Sequence, residues 1–285
     1  MDLSIFGYSF MQNAILAAVL GGVACATVGV FVVLMGMSFI GVCLAHAAFA
    51  GAVFGVLMGF NPLLGAFIFS LATAAIIGPL ASKGELNLDT SIGVLFSLML
   101  GLAFLFIGLM AIKSNPLSDV YSLLWGSILT VSRTNVILLG IVAAIVVGLV
   151  ILFYKEIRAV VFNRDIALAV GIPAGLIVYG ILFLTGSTIT VSLSPIGGLL
   201  IFSLIINPAA AAYQLTYNLK IMFLLSAVFA IVSGLIGLLV SYLFNVPTGA
   251  TIVVTSSLIF GLAVLFSPKR KIKRWQVTDE PSRVL

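Results

Sequence analysis

Residues 3–82 contain no Lys, Arg, Asp or Glu, a run of 80 positions without a formal charge. Two further runs follow, 54 positions between Asp165 and Lys220 and 48 between Lys220 and Lys269. A soluble fold cannot dress its surface from such stretches, whereas a surface facing lipid needs little else. One helical span takes about 20 apolar residues to cross about 30 Å of hydrocarbon. The three runs therefore hold three, two and two spans. Across the 285 residues only 7% are charged, against about 25% in a soluble domain. The apolar runs are long and do not alternate, which argues against a membrane barrel. The expectation is an all-α, polytopic transmembrane helical bundle of about nine spans, with eight to ten as the range.

The spans are expected over about 14–35, 39–58, 62–80, 91–112, 136–154, 174–191, 197–213, 221–244 and 251–266. Between the fourth and fifth, residues 119–132 read as a short interfacial or partly inserted helix. Residues 1–267 then form one transmembrane domain, interrupted by a polar loop at about 155–173, and residues 268–285 form a basic tail. Nine spans put the termini on opposite faces. With the C-terminus inside, eleven of the thirteen basic residues fall in inner loops or the tail, and only Lys113 and Arg133 lie outside. That is the positive-inside bias of a cytoplasmic membrane protein. The excess of 13 basic over 8 acidic residues is small and clustered at one membrane side, so nucleic acid is not an expected partner. Residues 1–13 lack the basic n-region of a cleavable signal peptide. Cys25 and Cys43 both lie in apolar runs and are expected as free thiols. Gly51 and Gly55 form a Gly-x-x-x-Gly pair in the second span. Such spacing serves close helix packing, and sliding between helices is a compatible use.

The interior holds almost no ionisable group, so any pumping must draw its energy from elsewhere than a buried ion-coupling carboxylate. His46 is the sole histidine and lies well inside a span, with Cys43 three residues before it. Imidazole and thiolate are both transition-metal ligands. Two readings stand: a neutral histidine bonded across a helix interface, or a residue on a substrate path. Asp89 sits at the inner edge of the fourth span. In the polar loop, Asn163 can cap a short helix that places Asp165 in its first turn and ends at Gly171. That helix suits either docking on a cytosolic partner or lying on lipid headgroups. Asn207-Pro208 breaks the seventh span, as a packed kink or as a kink facing a path. No phosphate-binding loop, serine elbow or hydrolytic metal motif is present. The chain is expected to be no enzyme and to hold no permanent cofactor, and any ATP must be hydrolysed by another chain.

Several segments carry a family likeness: Phe31 to Gly51 with His46 at its centre, Leu88 to Ser97, Leu124 to Ser132, Phe162 to Gly171, Gly197 to Ala212, and Ser233 to Ala250. In order and spacing they resemble the membrane permease subunit of metal-ion ABC importers, those for zinc, manganese and iron(II). The resemblance implies a homodimer around one central path. Two cytosolic ATPase subunits would bind below, and an extracytoplasmic binding protein would deliver the ion above. It implies that Phe162, Arg164, Asp165, Ala167 and Gly171 belong to the element gripped by the ATPase. It implies that His46 lines the metal path. The family usually has an aspartate four residues before that histidine, where this chain has Val42. It often has Arg and Pro where this chain has Gly36 and Ala50. These departures leave open a softer site that uses Cys43, or another cargo. The alternatives are a permease for an iron chelate or cobalamin, an ATP-independent secondary carrier, and a non-transporting scaffold.

Overall fold

In hydrocarbon no water is at hand to bond a bare peptide group, so the chain satisfies its backbone internally as helices. The computed structural model describes residues 8–83, 87–112, 131–198 and 201–269. Four long helices come first: α1 (Ser9–Leu34), α2 (Ile40–Met58), α3 (Pro62–Lys83) and α4 (Leu88–Ile112). Then come α5 (Arg133–Leu152), two short helices α6 (Tyr154–Phe162) and α7 (Arg164–Ala169), and α8 (Ala174–Ile196). The chain continues through α9 (Ile201–Leu215), α10 (Leu219–Phe244) and α11 (Thr248–Leu265). The interfacial helix expected at 119–132 and the tail beyond 269 lie almost wholly outside the described residues.

Among the described residues, eight helices are long and apolar enough to cross a membrane. The expected ninth span is α9, and it is short. Its 15 residues reach about 22 Å at 1.5 Å each, less than the hydrocarbon thickness. Gly197 ends α8 with φ 98° and ψ 137°, a conformation essentially restricted to glycine. Pro208 sits inside α9 and withdraws the N–H that the Leu204 carbonyl would have used. Among the described residues, the nine expected spans therefore correspond to eight full-length helices and one short helix with a proline inside it.

Glycine sets the closest approaches. A Cβ on Gly51 of α2 would stand 2.1 Å from the Gly65 carbonyl oxygen of α3, and one on Gly65 would stand 2.1 Å from that of Gly51. Gly55, one turn on, faces the Pro62 Cα at 2.9 Å. The Gly-x-x-x-Gly pair is thus the seam between α2 and α3. On α1, a Cβ on Gly29 would stand 2.0 Å from the Ile205 carbonyl oxygen of α9, and one on Gly22 would stand 3.3 Å from the Ala230 backbone of α10. Gly234 meets Ala18, and Ser226 Oγ donates to the Ala26 carbonyl at 3.2 Å. The register falls on α1 as it rises on α10, so the two helices run antiparallel. α8 threads between these groups: Ser70 Oγ donates to the Gly186 carbonyl at 3.4 Å, and Cys25 contacts Ser192 at 4.0 Å. Both cysteines are free and buried.

One end of the bundle gathers most of the described charge. Lys220, at the start of α10, lies over the Tyr154 ring at the start of α6. Lys269 donates to the Tyr213 carbonyl and lies over the rings of Tyr213 and Tyr217. Desolvation by these rings and their surroundings lowers the Lys269 pKa. Ser267 Oγ bonds the Gln214 carbonyl at 2.9 Å. The ends of α9 and α11 and the start of α10 therefore share one membrane face with the 155–173 loop.

Gly51→Ala forces a methyl into the Gly65 backbone, and overpacking of this kind costs about 1–3 kcal/mol or more. Gly101→Ala in α4, where a Cβ meets nothing within 4 Å, is expected to be neutral. Thermal unfolding in detergent should show Gly51→Ala melting well below the parent and Gly101→Ala matching it. Equal melting of all three would contradict the seam.

Candidate functional site

His46 lies mid-way along α2, half-buried, with its ring edge-on to Phe96 of α4 at a centroid distance of 5.0 Å and an interplanar angle of 86°. Nδ1 lies 2.8 Å from the Val42 carbonyl oxygen. A carbonyl can only accept, so Nδ1 carries the hydrogen and donates it. In the neutral ring this leaves the lone pair on Nε2, the tautomer a metal-ligating histidine uses when its other nitrogen is held by a carbonyl. Val42 thus contributes its backbone to the histidine and no carboxylate. Cys43 is fully buried in the core rather than beside an open surface. Among the described residues no group of three or more His, Cys, Asp and Glu could hold a metal ion. Asp89 is exposed in the first turn of α4, where the helix dipole favours a carboxylate. It precedes Phe96 by seven residues, two turns along one face of α4 and about 10 Å away. His46 and Asp89 therefore border the same side of the α2–α4 pair.

Asn207 in α9 works as a clasp. Its Nδ2 lies 2.8 Å from Ser203 Oγ and 3.0 Å from both Ser256 Oγ and Ser257 Oγ of α11. The two α11 serines donate in turn to the Val253 carbonyl. An amide in lipid needs such partners. The clasp ties the broken helix to α11, and Pro208 beside it is buried. At the end of the bundle opposite the loop, a cavity of about 230 Å³ opens between α2, α3, α5 and α8, with Asn61, Asn135, Thr190 and Ser194 as its polar lining. His46 does not line it.

The loop folds as its sequence indicates. Asn163 Oδ1 accepts from the backbone N–H groups of Asp165 and Ile166, both at 3.0 Å. Asp165 occupies the first turn of α7. Gly171 takes φ 84°, and the Ile172 N–H reaches back to the Ala167 carbonyl at 2.9 Å, a glycine-ended helix stop. Ala167 is buried against Val160 and Ala174. The α7 surface is made instead by Phe162, Ile166, Leu168 and Val170, each more than half exposed, flanked by exposed Arg164. Arg158 lies 6.0 Å from the Phe162 ring centroid. Ala167 thus fastens α7 to the bundle, and its neighbours present an apolar patch.

Residues 7–267 match the model of the ABC 3 transport family. The chain belongs to that family. It is 36% identical over 264 residues, 92% of each chain, to the manganese transport system membrane protein MntC of Listeria monocytogenes. It is 32% identical to the manganese import system permease protein ScaB of Streptococcus gordonii, covering 95% of this chain and 96% of that one. The structure of PsaBC from Streptococcus pneumoniae in complex with Fab superposes with a TM-score of 0.85 at 30% identity, over 96% of this chain and 97% of that one.

Several contacts of this ABC 3 permease had no signal in the sequence. Phe96 beside His46 is one of 21 phenylalanines. Ser256 and Ser257, 49 and 50 residues from Asn207, carried a weak one: adjacent hydroxyls in an apolar run need an interior partner. Asn207→Ala removes the clasp. Interhelical hydrogen bonds in lipid average about 0.6 kcal/mol and reach about 1.7. The variant is expected to lose stability in that range, and adding Ser256→Ala with Ser257→Ala should cost little more, because the partner is already gone. Unfolding in mixed micelles checks this, and fully additive losses would contradict a shared clasp.

Proposed function

We propose that this chain is the membrane permease of an ATP-driven importer for a divalent transition-metal ion, with manganese as its cargo. The observation that carries the reading is the near full-length likeness, above 30% identity, to permeases named for manganese transport, taken with one half-buried histidine inside α2 whose Nε2 is left unbonded among the described residues. The permease acts as a homodimer, each copy lending the α2–α4 face. Nε2 of His46 then meets the passing ion from two sides, and Asp89 adds negative charge nearer the inner mouth. One imidazole per copy, without the carboxylate that Val42 replaces, holds the ion loosely. A translocation site must release what it binds.

The charged face is cytoplasmic, and so is the C-terminus. Lys83, Lys155, Arg158, Arg164, Lys220 and Lys269 belong to it, as the positive-inside rule requires. The patch of Phe162, Ile166, Leu168 and Val170 docks on a separate ATPase chain. Asn163 and Gly171 shape α7, Asp165 steadies its first turn, and Ala167 bolts it to Val160 and Ala174. An extracytoplasmic metal-binding protein delivers the ion at the other face. The manganese-named relatives favour this reading over the iron-chelate, cobalamin and secondary-carrier ones.

The test is manganese uptake into vesicles holding the permease with its ATPase. The parent should take up manganese only with ATP. His46→Ala should lower uptake at least tenfold, while melting like the parent. Ile166→Glu should keep the fold and lose ATPase binding. ATP-independent uptake, or undiminished uptake by His46→Ala, would overturn the reading.

A further inference from the structure

A groove of about 510 Å³ runs between α1, α5 and α10. Its wall is apolar: Val23 from α1, Val147 and Val150 from α5, and Phe223, Leu224 and Ala227 from α10. The one wall hydroxyl, Thr27 Oγ1, donates to the Val23 carbonyl at 2.7 Å and makes no demand on an occupant. Phe223 is fixed at the back by an edge contact with Phe31, 5.2 Å between centroids. At one end the groove changes character. Tyr154 and Lys220 close it, with the Lys220 ammonium 5.7 Å from the Tyr154 ring centroid. Lys220 is exposed, and among the described residues it pairs with no carboxylate.

The spacing fits the membrane. Lys220 to Ala227 on α10 is a rise of seven residues, about 10 Å of helix, and opposite it Val147 and Val150 of α5 lead to Tyr154 at the start of α6. The cationic end therefore sits at the charged face of the bundle, and the apolar trough runs inward along the hydrocarbon. An occupant needs one anionic head and a slender apolar tail. From this we infer that the groove is a binding site for an anionic phospholipid of the leaflet on the charged face. Its phosphate sits at Lys220, and one acyl chain lies between α5 and α10. Cationic pockets between spans select anionic headgroups by this arrangement, and Tyr rings at the boundary suit the headgroup level. The sign of the charge decides against a zwitterionic lipid, and the narrow apolar trough decides against a soluble anion. The groove shares no lining residue with the His46 face, so the inference stands apart from the transport reading.

The experiment uses the full-length permease purified in detergent, with native mass spectrometry as the readout. Phosphatidylglycerol and phosphatidylcholine of equal chain length compete for it. The parent should retain phosphatidylglycerol in preference. Lys220→Gln, a change on an exposed side chain, should cut that preference about fivefold, the effect of one cation at an anionic lipid surface. Ala227→Trp, which fills the trough, should lower retention of both lipids. Equal retention of the two lipids by the parent, or an unchanged preference in Lys220→Gln, would overturn the proposal. So would a change of oligomeric state in Ala227→Trp with lipid retention intact, since the groove would then hold a second copy. Inorganic phosphate at millimolar concentration should not displace the lipid, and displacement would show a free-anion site instead.

Discussion

Lipid offers a helix no hydrophobic reason to leave it for another helix, since the tails are as apolar as leucine. What remains is contact between backbones, and that depends on missing side chains. In this chain the contact between Gly51 and Gly65, each in the other's Cβ space at 2.1 Å from a carbonyl oxygen, joins α2 to α3. Gly29 does the same for α1 against the broken helix α9. These seams leave α1 and α2 the most enclosed of the long helices, whereas α4 and α11 turn much of their surface outward. The position of His46 follows from them. α2 is held by α3 on one side and by α4, through Phe96, on another, so the imidazole occupies a defined place on a rigid helix.

Most polar groups inside the bundle follow one rule, the buried Thr188 hydroxyl being an exception without a partner among the described residues. Hydroxyls of Thr27, Thr73, Thr185 and Thr190 each bond a carbonyl four residues back on their own helix. Asn207 finds serines on its own helix and on α11. His46 follows the same local rule with Nδ1, yet an imidazole has a second nitrogen. Under the function proposed above, that second nitrogen is what would meet a passing cation, whereas the threonine hydroxyls are engaged on their own helices.

The spans were legible because charge is excluded from hydrocarbon so strongly that gaps between charged residues mark them. The length of α9 was less so. Its composition reads as a span, and only the backbone of Gly197 and the helix start at Ile201 show that it begins late. Asn163 and Gly171 announced α7 at both ends, since capping is local chemistry. The partition of that loop was not legible: Ala167 turns inward and Ile166 outward, a choice set by Val160 and Ala174. Cys43 reads as a ligand partner by spacing, and its full burial in the core was not legible from that spacing. The clasp from Asn207 spans about fifty residues of sequence, and the adjacent serines show only that a partner is needed, not which residue supplies it.

The central claim is that the α2 face bearing His46 borders a water-filled path. The most direct measurement is the reactivity of a single introduced thiol, His46→Cys, toward a charged, membrane-impermeant methanethiosulfonate in the assembled transporter. Water reaches a path and not a lipid-facing surface, so Leu98→Cys on the exposed side of α4 serves as the control. The native thiols Cys25 and Cys43 are both fully buried and set the background. The account predicts that position 46 reacts well above that background, that manganese slows the reaction, and that position 98 stays inert. A thiol at position 46 as unreactive as the one at position 98 would contradict it.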